Sequence, residues 1–362
     1  MIKKILQNTF AILLGIGFTL LLLEIVFRTA MPAASLPKSL WNSEYNIPSF
    51  EPGTSGKYSF GKFCHTGGKW QINNEGWNSP YDYTKNNKPT IAIFGDSYIE
   101  AFQIDVEKSL GPVLQNKLAP QFNVFSFGTS GAPLSQYLQL ARYANRKFEP
   151  QIMVLNLIHN DFDESIAAEQ YKKLYLRYRK INDSAFTEDA VEKSAEAGFR
   201  FRMLNATATG RYLLHNLKIQ EINFTSFFKS KPSTDTASFN ANIDVKKVLS
   251  QQDDIRKVTE LILLQFKKEF PSARLILLMD GLRKEIYENI PPEESNIIWM
   301  NTMVKELANQ HSIEFIDLTE TFASDYQKNN THFESPYDWH WNEYGHRIAA
   351  ETLYQQITSK TN

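Results

Sequence analysis

The chain holds a single cysteine, Cys64, in 362 residues, so no disulfide can form within it and cysteine usage says nothing about the redox compartment. Cys64 lies too far along the chain to act as a lipid-attachment cysteine, and a small buried or half-buried thiol is the expectation. An excess of either charge is also missing. With 39 Lys and Arg against 40 Asp and Glu, the net charge of -1 gives no overall field for nucleic acid or anionic lipid, and nucleic-acid binding is set aside. There is no internal repeat. Long apolar runs are scarce too: residues 10–27 form one, broken mainly by Thr19 and Glu24, and no later stretch is long and apolar enough to span a bilayer.

What is present describes an ordinary globular chain, 42% hydrophobic and 22% charged, sized for one large domain or one domain with a substantial insertion. Lys3 and Lys4 precede the apolar run, which favours a cytoplasmic start and sends the rest of the chain outward across the membrane. The run exceeds the roughly 7–15 residue core of a cleavable signal peptide, which favours an uncleaved anchor. A signal peptide cut near Ala30, Ala33 or Ala34 is the rival. Glu24, near the end of the run, is expected at the membrane interface. The resulting division is an anchor or signal segment over 1–30, a tether and small antiparallel β extension over 31–87 with a turn at Asn74-Glu75-Gly76, and a main domain over 88–362.

The main domain alternates apolar strands with helices. Residues 91–94 read as a buried strand that stops at Gly95-Asp96-Ser97; residues 122–127 stop at Gly128-Thr129-Ser130-Gly131; residues 151–158 stop at His159-Asn160-Asp161. Helices are expected over 107–118 and 133–147, then, after an interruption, over 244–270 and 297–310, with strands at 274–279 and 313–318 and a closing helix. A loop is expected over 319–337. This rhythm is that of a doubly wound α/β sheet. Residues 162–245 break it and read as an inserted helical cap or lid with a mobile loop near 231–236; its basic stretch, 171–180, is a candidate receiver for an anionic glycan.

In such a sheet ligands bind beyond the carboxyl ends of the strands, so Ser97 is exposed to substrate and is the candidate nucleophile. Serine acyl transfer needs a base, a group to orient it, and donors for the developing oxyanion. His340 supplies the base and Asp338 the orienting carboxylate, while the backbone N–H groups of Ser97 and Gly131 and the side-chain amide of Asn160 are the oxyanion donors. His159, Trp339 and Trp341 are candidate substrate contacts, with packing in the core as the alternative for each. Asp96 is read as holding the serine turn and Asp161 as a cap. A metal site from Asp338, His340 and His346 lacks a fourth ligand and is set aside, and no cofactor is called for.

These blocks, in this order, resemble the SGNH (GDSL-like) hydrolase superfamily over about residues 88–358, with the insertion unmatched. The resemblance implies a three-layer, flavodoxin-like α/β/α domain with a mainly parallel five-stranded sheet and a Ser-His-Asp esterase or acyltransferase. Residues 70–77 are similar to a segment preceding the serine block in membrane-anchored bacterial members. Asp338-Trp339-His340-Trp341-Asn342 departs from the usual Asp-x-x-His spacing and looks like the block of alginate acetylation proteins and related polysaccharide O-acetyltransferases. That implies acyl esters of cell-envelope carbohydrate as substrate, with a membrane acyl-donor partner in view. His159 stands where the family commonly has glycine. The rival reading is a catalytically silent scaffold that binds glycan or a membrane partner through the same pocket.

Overall fold

The computed structural model describes residues 2–168, 173–182, 185–189, 191–193, 198–219, 239–240, 243–335 and 338–359. The chain forms two compact units, Met1–Leu36 with Gly56–Lys69 and Ala195–Pro232, and Pro37–Ser55 with Trp70–Ser194 and Ser233–Asn362.

The first unit is built on helix α1 (Ile2–Thr29), long and apolar enough to cross a membrane, with Phe27 as its one buried residue. Its last turns are tied to a distant stretch of sequence. Glu24 accepts hydrogen bonds from the Ala208 and Thr209 amides, both at 2.9 Å, and from the Thr209 hydroxyl at 3.0 Å, so it satisfies the free N–H groups that open the short helix Ala208–Arg211. Phe27 stacks on Tyr212 at 3.8 Å. Asn216 accepts from the Ala34 amide at 2.9 Å and donates to Ser59 Oγ at 3.0 Å and Gly61 O at 3.1 Å, which brings in the third segment.

The second unit holds the parallel sheet: β1 (Thr90–Gly95), β2 (Asn123–Gly128), β3 (Ile152–Leu157), β4 (Arg274–Met279) and β5 (Glu314–Asp317), in the order β5-β4-β3-β1-β2. Every neighbouring pair is parallel. β1 and β3 are buried along their whole length, as both-faced burial demands of apolar strands. Alternate residues serve opposite cores. Ala92, Phe94, Met153 and Leu155 pack under α3 (Leu134–Phe148), α4 (Gln252–Glu269) and α5 (Ile298–Gln310). Ile91, Ile93 and Val154 pack under α2 (Leu110–Leu118), α6 (Leu318–Asn329) and α7 (Glu343–Thr358). Right-handed crossovers explain the division: β1 to β2 runs one way along the sheet, and every later connection runs the other, so its helix falls on the opposite face. The direction reverses between β1 and β3, which opens a crevice at their carboxyl ends.

The doubly wound three-layer fold expected from the alternation is the one the chain adopts, with three local differences. The loop expected over 319–337 is instead largely helix α6. Asp317 Oδ1 caps it by accepting from Thr319 N at 2.9 Å, and Leu318 and Phe322, four apart, bury one narrow stripe that the surrounding polar residues hide in the sequence. The helix expected over 244–270 breaks at Gln251 into Val245–Ser250 and α4. The helix expected from 107 begins at Leu110, after a single 3-10 turn over Val106–Lys108.

Within residues 162–245, the strands Tyr178–Lys180 and Phe186–Glu188 pair antiparallel and pack Tyr178 and Phe186 on the α3–α4 core. Residues 231–236 lie outside the described residues. The described cations of the basic stretch are engaged with the protein. Lys173 pairs with Glu192 at 3.0 Å, Arg179 with Asp189 at 2.7 Å and Lys180 with Asp254 at 2.9 Å, while Arg177 donates to Glu164 O at 2.8 Å.

Candidate active site

Ser97 owes its position to the end of β1. A Cβ on Gly95 would stand 2.3 Å from Ile99 Cγ1, so the chain turns tightly here only with glycine. Asp96 Oδ1 accepts from Tyr98 N at 2.9 Å and caps the single helical turn Ser97–Glu100. The turn ends at Ala101, whose φ of 53° and ψ of 45° are left-handed and whose N–H bonds back to Ser97 O. Ser97 is thus the first residue of a rigid turn, half-buried at the crevice mouth.

His340 arrives from the stretch before α7. Its Nε2 lies 2.7 Å from Ser97 Oγ, and its Nδ1 lies 3.3 Å from Asp338 Oδ2. Asp338 Oδ1 also accepts from the His340 amide at 3.0 Å, which fixes the backbone between them. The serine and the imidazole are in hydrogen-bond contact, while Nδ1 has Asp338 beside it as an ion-pair neighbour and makes no hydrogen bond of its own.

A network that the sequence did not reveal holds this stretch in place. The Trp339 carbonyl accepts from Tyr98 OH at 2.7 Å and from Arg283 Nη1 at 2.8 Å, and Arg283 Nη2 donates to Tyr98 OH at 2.7 Å. Arg283 also pairs with Asp280 at 3.0 Å and Glu334 at 3.2 Å. Burial works against its charge, but Asp280, Tyr98 and Glu334 together lift its pKa above the ordinary arginine value. Nothing local in the sequence marks Arg283; the one available signal was Asp280, a carboxylate at the end of a strand.

Two of the candidate substrate contacts are corrected by their burial. Trp341 is fully buried, with Nε1 donating to Asp280 Oδ1 at 2.9 Å, so it wedges the histidine stretch into the core and has no face for a ligand. His159 is 1% exposed, bonded through Nε2 to Asn301 Oδ1 at 2.9 Å, and its pKa is lowered by burial. Trp339 is 61% exposed. His346 is likewise turned inward: its Nδ1 accepts from Leu110 N at 3.2 Å, and burial pushes its pKa down to about 3. Among the described residues no group of three or more His, Cys, Asp or Glu is placed to hold a metal ion.

Gly131 and Asn160 stand at the ends of the flanking strands. Gly131 has φ of 73°, is exposed, and has no atom nearer its Cβ position than Tyr175 Cε2 at 3.9 Å, so the space beside it is open. The turn is held by Ser130, whose hydroxyl donates to the Glu100 carboxylate and whose carbonyl accepts from Tyr175 OH at 2.7 Å. Asn160 opens the short helix Asn160–Glu164, and its side chain favours the ionised form of Glu164 against the effect of burial. Asp161 works below the surface, where Oδ2 accepts from Ile158 N at 2.8 Å and Tyr137 OH at 2.9 Å.

Carboxyls crowd this corner. Burial pushes Glu100 up to about 7 and Glu164 up to about 7, and it raises Asp96 and Asp161 above the ordinary range. Asp96 adds repulsion at the other three.

No curated protein matches the sequence. Solved structures resemble the fold at low identity. An acetyl xylan esterase, AlAXEase, aligns at 14% identity and a TM-score of 0.40 over 74% of this chain and 99% of its own. A lipase/acylhydrolase from Enterococcus faecalis aligns at 14% and 0.40, over 75% and 96%. A carbohydrate esterase family 2 enzyme from Corynascus thermopiles (Myceliophthora fergusii) aligns at 14% and 0.39, over 79% and 69%. Residues 93–348, which run from within β1 into α7 and so enclose the whole crevice, match the GDSL-like Lipase/Acylhydrolase family, and the chain belongs to that family.

Proposed function

We propose that the protein cleaves or transfers acyl groups, acetyl foremost, on esters of cell-envelope carbohydrate through an acyl-enzyme on Ser97. The observation that carries this is the 2.7 Å contact between Ser97 Oγ and His340 Nε2 at the switch point of the sheet. His340 takes the hydroxyl proton as Ser97 attacks the ester carbonyl, then returns it to the departing alcohol. Asp338 orients the ring and stabilises the imidazolium. The backbone N–H groups of Ser97 and Gly131 and the side-chain amide of Asn160 receive the oxyanion, each such donor being worth about 3–4 kcal/mol of barrier. Water or a sugar hydroxyl then resolves the acyl-enzyme.

Charge and setting support this substrate class. Glu100 and Glu164 hold their protons up to about 7 and Asp96 up to about 6, so repulsion of an anionic ligand grows only as pH rises through those values, and there it favours a neutral acyl sugar over a uronate. The exposed indole of Trp339, next to His340 in the chain, offers a surface for a pyranose ring. The Asp338-x-His340-Trp341-Asn342 block, similar to that of polysaccharide O-acetyltransferases, leans toward a carbohydrate acceptor fed by a membrane acyl-donor partner. An uncleaved anchor that leaves the catalytic domain outside the cytoplasm fits the same picture. The bonds from Glu24 to Ala208 and Thr209 favour retention, because a leader cut after Ala30 or Ala34 would remove the group that caps that helix.

A fluorophosphonate probe is expected to label the wild type and to miss Ser97→Ala, with acetyl release from an acetyl ester lost in Ser97→Ala and His340→Ala alike. A wild type that neither labels nor turns over would overturn the enzymatic reading in favour of a silent scaffold. Incubation with an acetyl donor and neutral oligosaccharides, followed by mass measurement of the products, separates transfer from hydrolysis.

A further inference from the structure

The balanced net charge of the whole chain hides a local asymmetry in the first unit. Residues 56–69 carry three lysines and no Asp or Glu, and residues 195–232 carry three arginines and three lysines against Glu196 and Glu221. The same segments expose large apolar side chains. Phe199 is 70% exposed and Met203 57%, and being four apart on the helix Phe199–Asn205 they share one side of it. Phe201 points elsewhere, toward His215 at 6.2 Å. Phe63, at the turn after the strand Ser55–Phe60, is 62% exposed.

The depth of these groups follows from α1. A helix crosses the ~30 Å hydrocarbon core in about 20 residues, and counted from just past Lys3 and Lys4 that length runs out near Glu24. Whatever Glu24 holds therefore sits at headgroup level. It holds Ala208 and Thr209 directly. Gly210 brings the helix Phe199–Asn205 against the same point, since a Cβ there would lie 1.9 Å from Leu204 O. Tyr212 OH donates to Lys62 O at 2.8 Å and ties in the turn that carries Phe63. Exposed aromatics among cations, at this depth, suit an interfacial layer and not bulk water.

We propose that the helix Phe199–Asn205 and the turn at Phe63 are seated in the lipid headgroup layer of the membrane that α1 crosses. Phe199, Met203 and Phe63 reach the acyl boundary, and Arg200, Arg202 and Lys62 meet anionic phosphates. The inference rests on the retained-anchor reading and adds a second, peripheral contact to it.

The test uses the full chain reconstituted in vesicles of phosphatidylcholine, alone or mixed with phosphatidylglycerol. Met203→Cys takes an environment-sensitive fluorophore, while buried Cys64 stays unlabelled. The expected result is flotation with the vesicles, blue-shifted emission, quenching by lipid-borne shallow quenchers, and stronger quenching with phosphatidylglycerol present. Flotation with a label that stays in water would overturn the seating alone. Equal quenching in both compositions would overturn the phosphate contacts. A chain that does not float at all would overturn the anchor reading itself.

Discussion

Asp338→Asn isolates the charge of the carboxylate behind His340. Asparagine keeps an oxygen for the His340 amide, which Asp338 Oδ1 accepts at 3.0 Å, so the backbone between them stays held. What is lost is the attraction between the carboxylate and the imidazolium that forms as Ser97 is deprotonated, across the 3.3 Å Nδ1 to Oδ2 gap. Unit charges ~4 Å apart attract by about 4 kcal/mol at an effective dielectric of ~20 and about 1 kcal/mol in water. The two side chains are 27% and 22% exposed, which places the pair between these limits, at about 2 kcal/mol after screening. That converts to a loss of roughly 30-fold in kcat/KM, well short of the ~10⁴-fold of a fully buried dyad. Hydrolysis of a p-nitrophenyl acetate reporter measures it, and added salt is expected to slow the wild type more than the variant. A variant within about twofold of wild type, or as inactive as Ser97→Ala, would refute the electrostatic account.

Arg283→Ala strands Asp280 and Glu334 without their cation and is expected to destabilise the fold by about 3–5 kcal/mol, with loss of esterase activity; an unchanged melting temperature would refute it. Glu100 binds its proton more tightly in the folded state, at about 7 against 4.5, so its contribution is fully present below the lower value and is lost as pH rises through the upper one. Glu100→Gln removes the ionisation and is expected to stabilise the protein by on the order of 3 kcal/mol near pH 8, with little effect near pH 4; a melting difference that ignores pH would refute this. Loss of fluorophosphonate labelling in Ser97→Ala and lipid quenching of a label at Met203 complete the set.

The sheet was legible because each of its strands is a short apolar run that stops at polar or glycine residues, as at Gly95-Asp96-Ser97 and His159-Asn160-Asp161. The meeting of Ser97 with His340 was legible for the same reason, since strand ends and the stretch before the last helix converge in a doubly wound fold. Helix α6 escaped because its buried stripe is narrow and its other faces are polar. Arg283 and Tyr98 escaped because their partners lie 56 and 241 positions away. Trp341 and Trp339 looked equivalent on paper, and only packing separates an interior wedge from a surface indole. Glu24 was conspicuous as a carboxylate in an apolar helix, but its partner Thr209 lies 185 positions on, beyond any local pattern.

The 243 positions between Ser97 and His340 also set an order of events during synthesis. The nucleophile leaves the ribosome long before the imidazole that activates it. On the proposed mechanism, a chain that has not yet reached His340 carries the nucleophile without its base. His340 also follows the last strand of the sheet, which ends at Asp317, so all five strands have been made before the two halves of the proposed dyad can meet.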